Sequence, residues 1–196
     1  MTVDHEAPAA RRGDRTRAAI LAAARDRFAA DGYAKATIRA IAAQAGIDPS
    51  MVMRYYGSKE KLLAAAADFD LRLPDLSDVP VEQWGARLAR HVVRRWEQDD
   101  MLVALVRVAA THDAAAERGR ELFANQVGPL VAAAEPDPAL VPVRAGLIAS
   151  QVLGLTVARY IMRLPPVAAM KADDVVAWLG PVLQHYLTGQ PGQFVA

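Results

Sequence analysis

Residues 37–59 read TIRAIAAQAGIDPSMVMRYYGSK, and this stretch decides the fold. Thr37 stands where a helix N-cap belongs, and Ile38, Ile41 and Ala42 recur on one face of a short helix that ends at Ala45. Gly46 supplies the sharp turn that a side chain would resist. Asp48-Pro49 restarts a helix, with Asp as cap and Pro at the first helical position, where an N–H would be unpaired anyway. The second helix runs to Tyr56, and Gly57-Ser58 breaks it. Two short helices joined by a tight turn, the second with polar and aromatic residues on its outer face, form a helix-turn-helix. Such a helix, about 10–12 Å wide with its side chains, fits a major groove about 12 Å across.

Working outward, a first helix is expected over residues 16–31, its stripe of Ile20, Leu21, Ala24 and Phe28 packing on Ile38, Ile41 and Ala42, with Gly32 as its stop. Ser58 caps a helix through Leu71, Glu60 lying near its positive end. A proline-bounded loop from Leu73 to Pro80 follows, and then helices over 81–98, 100–111, 117–134, 139–163 and 173–187. Pro142 falls near the start of the long helix, and Pro165-Pro166 ends it. With 41 alanines in 196 residues and no stretch reading as a strand, the fold class is all-α. The expected organisation is a flexible basic arm over 1–13, a three-helix DNA-binding domain over 14–60, and a larger helical effector-binding and dimerisation domain over 61–196.

Charge agrees with this division. Residues 1–66 hold 11 basic and 7 acidic side chains, whereas residues 67–196 hold 12 and 15, so the first part suits a polyanion and the second does not. No cysteine is present, which removes disulfide scaffolds, thiolate zinc sites and cysteine nucleophiles. His91, His112 and His185 are scattered singly; no metal, cofactor or catalytic constellation is expected, and the chain reads as a non-enzyme. The polar start, MTVDHEAP, lacks a secretory pattern, and only 14 uncharged residues separate Arg144 from Arg159, short of the roughly 20 that a membrane span needs. A soluble, cytoplasmic protein is expected.

The segments TRAAILAAARDRFAADGY and ATIRAIAAQAGIDPSMVMRYYGSKEKLL resemble the N-terminal domain of the TetR family of bacterial transcriptional regulators over about residues 14–64. Gly32-Tyr33, Ala45-Gly46 and Gly57-Ser58-Lys59 carry the resemblance in order. It implies an all-helical homodimer on a near-palindromic operator, usually a repressor, released when a small ligand enters the C-terminal domain. It also implies that Arg39 reaches the groove, where Arg pairs with guanine O6 and N7. Thr37 and Lys59 then fall at phosphate contacts, and Pro49, Ser50, Met51, Met53, Arg54 and Tyr55 form the recognition face. Many members have tyrosine where Met53 stands and histidine where Tyr55 stands. Met53 cannot bond phosphate and suits a thymine methyl, leaving Arg54 and Tyr55 as leading phosphate contacts. Arg11, Arg12, Arg15 and Arg17 are arm residues compatible with backbone or minor-groove contact.

In the second part, Trp84, Leu88, Val92 and Trp96 recur at helical spacing and, with Met101, Phe123 and Leu155, supply apolar material for a pocket. Arg107 is a charge among apolar neighbours, and with Gln151 it is expected to orient a largely apolar effector. Gly146, Ser150, Gly154 and Ala158 form a small-residue ridge; the resemblance, which implies dimerisation through the last two long helices, places this ridge with Trp178 and Leu179 in a twofold interface. Two other function classes stay open. One is a constitutive architectural DNA-binding protein, and the other is a helical small-molecule-binding protein with no role on DNA.

Overall fold

The computed structural model describes residues 7–66 and 70–192, and among these every regular element is a helix. Helix α1 spans Ala7–Lys35. It begins at Ala7 rather than Thr16, so the part of the expected arm over 7–13 is helical, because Ala and Arg are strong helix formers and Pro8 falls in the first turn. Residues 1–6 of that arm, and the side chains of residues 7–12 including Arg11 and Arg12, lie outside the described part. Gly32, at φ 72° and ψ 160°, breaks the helix at the expected place, and one further turn reaches Lys35.

Helices α2 (Ile38–Ala45) and α3 (Pro49–Tyr56) match their expected limits. Helix α4 covers Lys59–Ala66; the expected extension to Leu71 is not met, since Asp70 and Leu71 are non-helical and Leu71 turns into the second core, while residues 67–69 lie outside the described part. After a 3-10 turn at Val81–Gln83 come α5 (Trp84–Gln98) and α6 (Asp100–Ala109). The helix expected over 117–134 is three pieces: α7 (Asp113–Leu122), a π-helical segment Phe123–Val127, and α8 (Gly128–Ala134). Pro129 has no N–H to return to the preceding turn, which favours the wider π register there. Helix α9 (Val141–Thr156) likewise runs into a π segment, Val157–Ile161. Pro165 and Pro166 do not merely end it but open a separate short helix, α10 (Pro165–Ala168), before α11 (Ala172–Thr188).

Two cores result. Ile20, Phe28, Ile41, Val52, Leu62 and Leu63 are buried in the N-terminal one, and Ala104, Leu105, Val108 and Ala115 from α6 and α7 complete it. The second gathers Leu88, Val92, Trp96, Ile148, Val152 and Leu183. Its closest crossing joins α5 to α11, where a Cβ on Gly85 would stand 2.4 Å from the Gly180 carbonyl oxygen. Gly85 N–H donates to Gln184 Oε1 at 2.8 Å, and Gln184 Nε2 donates to Val81 O at 3.0 Å. The Gly146–Gly154 ridge is left uncovered within the monomer, where a Cβ at either glycine would meet nothing within 4 Å.

Counting only the uncharged residues between two arginines underestimates α9. With its π segment it covers 21 residues, and an 18-residue window within it has mean hydropathy 1.5, long and apolar enough to cross a membrane by length and composition. Both arginines are instead tied into the protein. Arg144 is buried, pairs with Glu135 and donates to Tyr186 O and Gly189 O at 2.9 Å each; Arg159 donates to Val167 O at 2.7 Å and Met170 O at 2.9 Å.

Candidate nucleic-acid interface and effector cavity

The helix-turn-helix is held by its caps. Thr37 Oγ1 accepts from Ala40 N at 3.1 Å, which caps α2 and leaves the hydroxyl proton and the other first-turn amides to meet an anion. Gly46 is left-handed at φ 68° and ψ 34°, and Ile47 N–H returns to Ala42 O at 3.0 Å, closing α2 and aiming the chain at α3. Asp48 Oδ1 accepts from Ser50 N at 2.7 Å, and this bonding to Ser50 holds the carboxyl below its ordinary range. Val52, fully buried in the N-terminal core, holds α3 against α2 and α4. With Val52 inward, Ser50, Met53 and Arg54 face out at helical spacing, and Arg39 is exposed on α2.

Pro49, Met51 and Tyr55 are half-buried at the edge of that face. Tyr55 lies against α1, its ring 5.4 Å from the Arg17 guanidinium, and Tyr56 Oη donates to Arg17 O at 3.3 Å. The N-terminal part of α1 is thereby fastened beside the recognition helix. Lys59 is half-buried and turned toward α1: its Nζ stands 4.3 Å from the Tyr33 ring centre and donates to Ala34 O at 3.5 Å, and desolvation lowers its pKa. Sequence reading missed the neighbouring bond. Tyr33 Oη donates to Glu60 at 2.8 Å, where burial and the carboxylate push the phenol's pKa up. Glu60 is held low, first by a bond to its own backbone N–H and then by Tyr33, with His112 adding a favourable field.

In the body, α6, α7, the first π segment and α9 enclose an apolar groove of about 810 Å³. One wall is the row Val141, Ala145, Ala149 and Leu153 of α9 and Val157 of the second π segment, one residue in four, with Pro142 and Gly146 beside it, and Arg120 is the charged residue on the lining. Of the expected pocket residues, Trp96 and Phe123 line this groove. Together with Leu88 and Val92 they also line an adjoining void of about 40 Å³. Trp84 is buried and donates from Nε1 to Val79 O at 2.8 Å, Leu155 packs on the second core, and Met101 packs on the N-terminal core; none of these three lies on either wall.

The expected pairing of Arg107 with Gln151 is not met. Gln151 is two residues past Ala149, hence about 200° around α9 from the groove-facing row. Arg107, about 100° from groove-lining Val106, is exposed on a separate cleft of about 640 Å³ beside the DNA-binding domain. The signal that finds the groove is the aliphatic fourfold row on α9, which the eye passes over in favour of the glycines next to it.

On the far side of α9, Ser150 and Gly154 are exposed, Ala158 is half-buried, and Gly146 is exposed while also edging the groove. Trp178 is 77% exposed, and Val143 and Leu147, which sequence reading did not single out, extend the apolar face. Leu179 does not belong to it: one residue from Trp178, it points about 100° away into the second core and is buried.

Residues 20–66 match the family model described as bacterial regulatory proteins, tetR family, and residues 82–187 match that of the tetracyclin repressor-like C-terminal domain. No curated protein matches the chain. Among solved structures, a TetR-family regulator from Streptomyces coelicolor A3 is 29% identical, covering 89% of this chain and 95% of its own, with a TM-score of 0.46. A TetR-family regulator structure from Rhodococcus sp. is 17% identical over 89% of this chain and all of its own, with a TM-score of 0.56. One from Shewanella sp. PV-4 is 16% identical over 87% and 96%, with a TM-score of 0.52, and these last two share the fold. With the C-terminal model alone matching more than half of its length and the N-terminal model matching the helix-turn-helix, the chain belongs to the TetR family of bacterial regulators.

Proposed function

We propose that this chain is a ligand-responsive, sequence-specific transcriptional repressor that binds a near-palindromic operator as a homodimer. TetR-family regulators are generally non-enzymatic, soluble DNA-binding proteins that act as dimers with small-molecule effectors. The observation that carries the reading is the outward row of Ser50, Met53 and Arg54 on a helix fixed from behind by Val52, with Arg39 exposed beside it. Arg39 is assigned to guanine, Met53 to a thymine methyl, and Arg54 and Tyr55 to phosphate. Ser50, Pro49 and Met51 shape the approach, and the first-turn amides at Thr37 meet a phosphate. Lys59, turned toward Tyr33, supports that surface as a nearby charge and positions α4 against α1.

The dimer face is assigned to Gly146, Ser150, Gly154, Ala158 and Trp178, joined by Val143 and Leu147. A twofold pair sets the two α3 helices in successive major grooves, about 34–36 Å apart. The groove between α6 and α9 is the effector site, and its lining suits a largely apolar ligand. Coupling runs through α6, because Leu105 lines the groove and packs in the N-terminal core at once. A ligand that moves α6 changes the spacing of the recognition helices, and it regulates only through its unequal affinity for the two arrangements. The test is selection from random duplex DNA, followed by comparison of the winning site with a scrambled control at one salt concentration. An enriched inverted repeat, bound about a thousandfold or more above the control, is expected. Equal weak binding to both favours the architectural alternative.

A further inference from the structure

The cleft of about 640 Å³ between the DNA-binding domain and the body is not used by this function. Its walls come from the end of α1, the end of α5, α6 and the second π segment, so any occupant touches both parts of the chain. Seven ionisable carboxylates, lysines and arginines line it, and their pairing is uneven. Asp31 is taken by Arg27 at 3.3 Å, and Glu97 by Arg159 at 3.3 Å. Asp100 lies in the first turn of α6, where the helix dipole already favours its charge. Lys35, Arg107 and Arg163 are left, each exposed and with no side-chain ion pair or hydrogen bond among the described residues.

Arg163, at φ 53°, is the left-handed residue that closes the helix here, with Leu164 N–H returning to Ala158 O at 2.9 Å, and it lines the cleft from that cap.

We infer that this cleft is a second ligand site, for a small multivalent oxyanion, either a phosphate ester or a polycarboxylate, held by Arg107, Arg163 and Lys35. Arginine is the side chain suited to bidentate recognition of such groups, and one anion between two arginines satisfies both. The bound anion bridges Lys35 of the DNA-binding domain to the body, which gives the protein an input separate from the apolar groove. The binding itself does not depend on the regulatory reading above, and its test needs no operator.

The experiment is calorimetric titration of the full-length protein with pyrophosphate and, separately, with citrate, at constant ionic strength. Saturable binding of at least one is expected; pyrophosphate alone assigns the phosphate class and citrate alone the carboxylate class. Arg107→Ala and Arg163→Gly should each weaken it about tenfold. Arg163→Gly also removes the backbone strain, so its unfolding temperature should hold or rise while binding falls, which separates a lost site from a lost fold. Arg87→Ala, exposed on α5 and lining neither cavity, should leave the affinity unchanged. Absence of binding by both anions, wild-type affinity in Arg107→Ala and Arg163→Gly, or a loss in Arg87→Ala equal to theirs would overturn the assignment.

Discussion

The N-terminal unit and the body are both all-helical, yet they are built to different standards of packing. Around Ile20, Phe28, Ile41, Val52, Leu62 and Leu63 the side chains are at most 1% exposed, and α2 and α3 are short, capped and closed by glycines at positive φ. The body leaves a groove of about 810 Å³, two π-helical segments along its lining helices, and an exposed Trp178. A reading head has to keep one shape against a rigid groove period, whereas a sensing body has to leave room. The difference teaches where regulation can enter: through the loosely filled part, by way of α6, the helix that contributes to both.

The comparison breaks if truncations cost the same in the two regions. Phe28→Ala, in the closed core, should cost about 3–5 kcal/mol in urea unfolding. Gly85→Val comes next, at about 3 kcal/mol, since its side chain would collide with the Gly180 carbonyl and the Gln184 backbone. Here the body is as tight as the N-terminal unit, so the slack is local to the groove and not general. Leu153→Ala, on a groove wall that is already open, should cost only about 1 kcal/mol, because there is little packing to lose. A value matching that of Phe28→Ala would mean the groove is closed in solution.

The smallest effect concerns the joint between the regions. Glu60 has its pKa lowered below 4.5 by its own backbone bond and by Tyr33, so its stabilising contribution is complete above 4.5 and is lost as pH falls through the depressed folded value. At this partly exposed site solvent screening keeps the contribution under about 1 kcal/mol. Urea unfolding of the wild type and Tyr33→Phe at pH 7 and pH 3 should show a gap at pH 7 that narrows at pH 3.

The same contrast explains what was legible in the sequence. Thr37, Gly46, Asp48-Pro49 and Gly57 act on their own neighbours, and local chemistry of that kind places α2 and α3 within a residue. The body depends on helical phase between distant segments. Leu179 and Trp178 are adjacent in sequence but face opposite surroundings, and Gln151 misses the groove because it lies out of phase with Ala149. Gly85 and Gly180 carry no signal of their crossing until α5 and α11 are laid together. The π segments escape a reading that assumes 3.6 residues per turn, and the start of α1 was missed because a run of arginines looks like an arm even where alanines make it a helix. In the site, the recognition face came from the resemblance, and of its residues Ser50, Met53 and Arg54 face out while Pro49, Met51 and Tyr55 are half-buried; the Tyr33–Glu60 bond joins residues 27 positions apart and left no trace in the pattern.

The central claim is that occupancy of the groove is read by the recognition helices through α6. Ala149→Phe fills the groove from the α9 wall without touching the DNA-binding residues, and so stands in for a ligand. Its affinity for the selected operator, compared with wild type at one salt concentration and with the dimer verified by sedimentation, tests the claim directly. A change of about tenfold, within the 5–150-fold range of allosteric couplings, is predicted. A folded, dimeric Ala149→Phe protein that binds the operator as tightly as wild type would contradict it.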